Sequence, residues 1–105
     1  MKTLLADHER VWFYLKDQAT KERFIKDALD LGCRFLNGDP LTVEDCSFIM
    51  SVHRDKKIAH VAIFIWNASF QSSQFADEPL KVDYAKYVCG DVPWICKRSD
   101  FIRIG

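Results

Sequence analysis

Glycine and proline are scarce in this chain, four and three residues among 105. A loop that cradles phosphate brings backbone N–H groups close together, and glycine usually permits it. No glycine-rich stretch exists, so that class of nucleotide enzyme is excluded. Few turn formers also mean that most of the chain belongs to regular elements. Net charge is missing as well: fifteen basic residues meet fifteen acidic ones. Without a basic excess, a polyanion groove for nucleic acid or an anionic membrane surface is not expected. Long apolar runs are absent too. The most apolar stretch, Ile58 to Trp66, is about half of what a membrane-spanning helix needs. The start, Met1 to His8, is too short an apolar run for a signal peptide, so a cytoplasmic location is expected. The four cysteines (33, 46, 89, 96) show no CxxC or other metal-ligand spacing and read as thiols of a reducing compartment.

What the chain does have is a globular balance, 49% hydrophobic and 29% charged, with eight Phe, three Tyr and three Trp to fill one small core. Arg10 to Leu15 reads as a central strand, apolar on both faces. Asp17 is placed as the N-cap of a helix running to Leu31, stopped by Gly32, with Phe24, Ile25, Ala28 and Leu29 as its apolar stripe. Cys33 to Leu36 is a short extended piece closed by the turn Asn37-Gly38-Asp39-Pro40, and a single helical turn fits Leu41 to Cys46.

A hairpin of Ser47–His53 and Ile58–Trp66 around Arg54 to Lys57 is the strongest pattern. With Asp55-Lys56 as a two-residue loop, Met50 faces Val61. Phe48, Met50, Val52, Ala59, Val61, Ile63 and Ile65 then form a core face. Ile49, Ser51, His53, Ile58, His60, Ala62, Phe64 and Trp66 form the other. Ala68 to Pro79 reads as a polar loop carrying Phe70 and Phe75. Val82 to Cys89, before Gly90, fits a short helix or a strand, and Phe101 to Ile104 a last edge strand. The fold expected is α+β: a single domain over residues 1–105, a mostly antiparallel sheet built on a central hairpin, and one long amphipathic helix packed on a face.

Candidate chemistry is sparse. The sequence shows no HExxH, no nucleophile elbow and no carboxylate pair with an obvious partner, so no enzyme is expected and no cofactor is implied. In the register above, His53 and His60 share a face, with Ser51 opposite His60. They form either a polar floor for a ligand or two solvated histidines near a turn. A metal site lacks further ligands. Arg54, Lys56 and Lys57 are either a solvated tip or a phosphate site with a forked guanidinium donor. Trp66 or Tyr84 would stack a base.

Cys33-Arg34-Phe35-Leu36-Asn37-Gly38, the run Ile65 to Phe70, and Val82-Asp83-Tyr84-Ala85-Lys86-Tyr87 together resemble small phage and prophage proteins of low-GC Gram-positive bacteria, over about residues 10–90. No active site comes with the resemblance. It implies an accessory protein that inhibits a host function, in some cases by sequestering nucleotide second messengers of antiphage defence. The expectation is therefore a non-catalytic binder of a nucleotide-type molecule through His53, Arg54, Lys57, His60, Trp66 and Tyr84. The alternative is an inhibitor or adaptor that docks on a host protein through Asp39 to Asp45 or the Phe70/Phe75 loop. Such a small domain is also expected to form a homodimer or higher homo-oligomer.

Overall fold

The computed structural model describes residues 2–69 and 79–96. Asp17 caps the longest helix as its sequence demands. Its side chain accepts from the Thr20 backbone N–H at 2.9 Å and the Thr20 hydroxyl at 2.6 Å. These bonds satisfy donors that the first helical turn leaves open, and they hold the Asp17 carboxyl below its ordinary pKa. The helix runs Gln18–Asp30, and Gly32 follows its C-cap at φ +77°, a conformation that costs glycine nothing. Phe24, Ile25 and Ala28 are buried, each large side chain contributing about 1.5–3 kcal/mol. Leu29, also expected in that stripe, is 51% exposed.

Among the described residues nine elements follow in order: α1 Lys2–Asp7, β1 Arg10–Tyr14, α2 Gln18–Asp30, β2 Arg34–Phe35, β3 Ile49–His53, β4 Lys57–His60, α3 Ile63–Ser69, β5 Leu80–Asp83 and α4 Tyr84–Cys89. The strands form one sheet in the order β2-β4-β3-β1-β5. β1 pairs antiparallel with β3, and β3 with β4. β1–β5 and β2–β4 are parallel. The α+β class stands, but the finer expectation is corrected. The sheet is mixed, and the four described helices are all short, the longest having 13 residues. Two long-range returns of the chain produce the parallel pairs, and neither can be read from local alternation.

The hairpin register also differs. Met50 lies opposite His60, Ser51 opposite Ala59 and Val52 opposite Ile58. The loop has three residues, Arg54, Asp55 and Lys56. Lys56 N–H donates to His53 O at 2.9 Å, and Lys56 takes φ +70°. This is a turn followed by a left-handed residue, which shifts the pairing by one position relative to a two-residue loop. Because side chains alternate, that shift sends His53 and His60 to opposite faces.

The second strand ends at His60, and Ile63–Ser69 is helical rather than extended. The cause is the end of the partner. Val61 N–H donates to Ile49 O at 3.1 Å, at the last position where β3 can pair. A strand continuing to Trp66 would have no neighbour for its backbone, whereas a helix satisfies its own. Leu41 to Cys46 forms a turn without a helical one. β5 ends at Asp83 and α4 begins at Tyr84, so Val82 to Cys89 is part strand and part helix. The expectations for Phe70, Phe75 and Phe101 to Ile104 lie outside the described residues.

The two sheet faces are covered differently. Val11, Phe13, Met50, Val52, Ile58 and Val82 pack with Phe24, Ile25 and Ala28 of α2, Tyr84 of α4, and Leu4 and Leu5 of α1. On the opposite face Trp12, Ile49, Val61 and Trp66 form a smaller cluster. The outer edge of β5 is occupied by the following segment: Asp83 N–H donates to Trp94 O and Cys96 N–H to Lys81 O, both at 2.8 Å. Among the described residues no helix is long and apolar enough to cross a membrane.

Candidate functional site

The six residues singled out by sequence fall into five places. Trp66 has no exposed surface, and its ring stacks on Trp12 at 6.4 Å between centroids and 26° between planes, with Tyr14 at 6.3 Å. It is the centre of the smaller core. His53 is half-buried on that same face, across from Arg10, with its Nε2 3.3 Å from Ser51 Oγ. Lys57 is exposed, beside Arg34 of β2. His60 is exposed on the other face and stacks on Phe35 at 6.0 Å and 15°.

Arg54 and Tyr84, the remaining two, border two adjoining clefts, together termed the groove. A cleft of about 490 Å³ runs between α1, the end of α2 and the hairpin tip, and Leu5, Arg54 and Lys56 line it. A cleft of about 440 Å³ lies between α2 and α4, lined by Arg23, Asp27, Tyr84 and Tyr87. Lys2, Asp30 and Leu31 line both, so the two clefts adjoin at these residues. Each half has the size of a small-molecule pocket.

Local structure sets the donors. The left-handed residue in the hairpin loop turns the tip back over α1. There Arg54 N–H donates to Glu9 O at 2.8 Å, and Arg54 Nε donates to Leu5 O at 3.1 Å. The second bond fixes the guanidinium plane and leaves its terminal nitrogens for another acceptor. At the opposite end, Asp83 caps α4 by accepting from Lys86 N–H at 3.2 Å, and Gly90 ends the helix with φ +75°. That cap places Tyr84 inward, edge-on to Phe13 and Phe24 at 5.2 and 5.5 Å. Its hydroxyl donates to Asp27 Oδ2. Arg23 Nε also reaches that carboxylate, at 2.9 and 3.2 Å from its two oxygens. Burial, then the hydrogen bond to Asp27, pushes the Tyr84 phenol far above its ordinary value, so it stays protonated. Tyr87, half-buried, packs at 6.0 Å from Tyr84 and edge-on to Trp94 at 5.1 Å.

The groove therefore carries Lys2, Arg23, Arg54 and Lys56 against Asp27 and Asp30, a positive excess in a chain of zero net charge. Lys2 and Tyr87 were missed by sequence reading, and Lys56 was noted only as part of the basic turn. Burial of Leu4 and Leu5 docks α1 here, but nothing local in Lys2 to Asp7 announces it. Among the described residues no group of three or more His, Cys, Asp or Glu could hold a metal ion. Comparison with protein-family models, curated proteins and solved structures finds no match, so the site rests on its own geometry.

Proposed function

We propose that the protein binds, without turnover, a small anionic ligand with a planar ring, of the nucleotide class, in the groove joining the hairpin tip to α4. The observation that carries this reading is the groove's polarity. Arg54 and Lys56 lie at one end, Tyr84 and Tyr87 at the other beside the Arg23–Asp27 ion pair, and Lys2 lines both. Phosphate oxygens suit a guanidinium already oriented by Leu5 O, and Lys56 and Lys2 add point charges. A base would lie against Tyr87 and offer its amino edge to Asp30. In this form the phosphate falls to Arg54 and Lys56, while His53 and Lys57 sit at the far side of the hairpin. The role we assign is sequestration of a nucleotide signal in the cytoplasm, in keeping with the resemblance to phage accessory proteins.

The test is a thermal-shift and calorimetric panel of cyclic and ADP-ribose-type nucleotides. A binder should raise the melting temperature of the wild type, and Arg54→Ala with Lys56→Ala should remove the shift, read against that variant's own unliganded melting temperature. No shift from any member of the panel at millimolar concentration would sink the reading.

A second reading, association with another protein and most concretely with a second copy, is favoured by α3. That helix contains no charged residue, and its outer side shows Phe64 at 69% and Ile65 at 44% exposure, with Ala68 beside them.

A further inference from the structure

A separate cleft of about 490 Å³ opens where the sheet ends at β2. It is lined by Phe35, Ile58 and His60, whose ring stacks on Phe35, and by Asn37, Asp39 and Asp45. The two carboxylates are held in place from one side only. Asp39 Oδ2 accepts from the Asn37 amide at 3.0 Å, while Asp39 N–H donates back to Asn37 Oδ1 at 3.0 Å. Asp45 Oδ2 accepts from the Thr42 hydroxyl at 2.5 Å. Among the described residues each Oδ1 is left for an outside donor. No lysine or arginine among the described residues lines the cleft.

The backbone beside it is open as well. Val61 N–H bonds to Ile49 O, which makes that pair a hydrogen-bonded one. By the alternation of an antiparallel ladder, the next pair, Met50 and His60, points its N–H and C=O groups outward. For His60 that direction is the β2 side. β2 has turned away by then: after Leu36 N–H donates to Ile58 O at 2.9 Å, the chain closes a turn through Phe35 N–H to Asp39 O and Gly38 N–H to Phe35 O. A sheet edge with free backbone groups is a template for an added strand.

Two carboxylates and the stacked rings of Phe35 and His60 in one cleft suit a delocalised, planar cation better than a compact one. A guanidinium can fork onto a carboxylate and stack on the ring, whereas an ammonium does only part of this. We propose that this cleft takes the arginine side chain of an extended peptide segment, whose backbone pairs with the edge at His60. The inference is independent of the groove at the hairpin tip.

The test uses the full chain and three probes: a blocked Gly-Arg-Gly peptide, its citrulline counterpart, and free arginine. The arginine peptide should bind and shift the backbone amide resonances of Asp39, Asp45 and His60. Citrulline keeps the shape but lacks the charge, and should bind at least tenfold more weakly. Asp39→Asn with Asp45→Asn should lose at least tenfold, with an unchanged circular dichroism spectrum and urea midpoint. Each substitution removes a charge while retaining one acceptor oxygen, and the two controls separate loss of charge from loss of fold. Affinity should also fall with added salt. Equal binding of the arginine and citrulline peptides, no binding of either at millimolar concentration, or full binding by the double variant would each overturn the proposal. Free arginine binding as tightly as the peptide would overturn docking at the edge.

Discussion

Tyr84, on α4, joins that helix to β1 and α2. Its ring sits among Phe13 of β1 and Phe24 of α2, and its hydroxyl ends on Asp27, which also holds Arg23. Removing only the hydroxyl, as in Tyr84→Phe, keeps the ring packing and leaves Asp27 with one partner fewer. A hydrogen bond to a charged acceptor contributes on the order of 1.5–3 kcal/mol, so the urea midpoint should fall accordingly. An unchanged midpoint would show that the bond is dispensable. The same residue sets a pH dependence. Its folded pKa is raised, so its stabilising effect is complete below the ordinary tyrosine value of 10.0 and is lost as pH rises beyond it, where the unfolded chain gives up its proton first. Cys46 acts in a lower window. Burial pushes its thiol from 9.0 to about 11, so stability should decline across that interval by at most about 2–3 kcal/mol. Urea midpoints measured from about pH 8 upward should fall less steeply in Cys46→Ala than in the wild type. Parallel slopes would remove Cys46 from the explanation.

At the scale of elements, the hairpin loop decides the most. Lys56 holds φ +70°, which costs a residue with a Cβ about 1–2 kcal/mol. Lys56→Gly relieves that strain and gives back part of it by loosening the unfolded chain, for a net gain of about 0.5–1 kcal/mol. Lys56→Val should lose stability instead. Both can be read from urea midpoints, and a loss in the glycine variant would contradict the three-residue loop. This loop also explains what the sequence could and could not reveal. The start and stop of α2 were legible, because Asp17 and Gly32 act on their own neighbours. So was β1, whose two apolar faces meet two clusters. The register was not, because the apolar positions used to fix it, Val61, Ile63 and Ile65, lie where β4 has already stopped. That stop is dictated by the length of β3 on the far side of the turn, which no periodicity in Ile58 to Trp66 records. The site was half-legible for a related reason. Arg54 and Tyr84 were named as single residues. Their meeting depends on α1 and α2 bridging the two, through Lys2, Asp30 and Leu31. Aromatic character alone did not distinguish a ring that offers a face from one closed into the core, as Trp66 is.

At the scale of the whole molecule, charge and apolar surface act together. A chain with no net charge has little long-range repulsion to keep copies apart. α3 then presents Phe64 and Ile65 on a side with no charged residue of its own. In a two-fold dimer a patch meets itself, so a charged patch opposes itself and an uncharged one does not. A stable interface needs about 800 Å² from each partner, of which a large exposed ring can form the buried centre. Sedimentation of the full chain should therefore show a concentration-dependent dimer. Phe64→Glu would place two carboxylates near the symmetry axis and should weaken association at least tenfold. Its circular dichroism spectrum should stay unchanged, because Phe64 contributes little to the core from a position 69% exposed. A wild type that sediments as a monomer at high micromolar concentration, or a Phe64→Glu variant that dimerises equally well, would remove α3 as the contact.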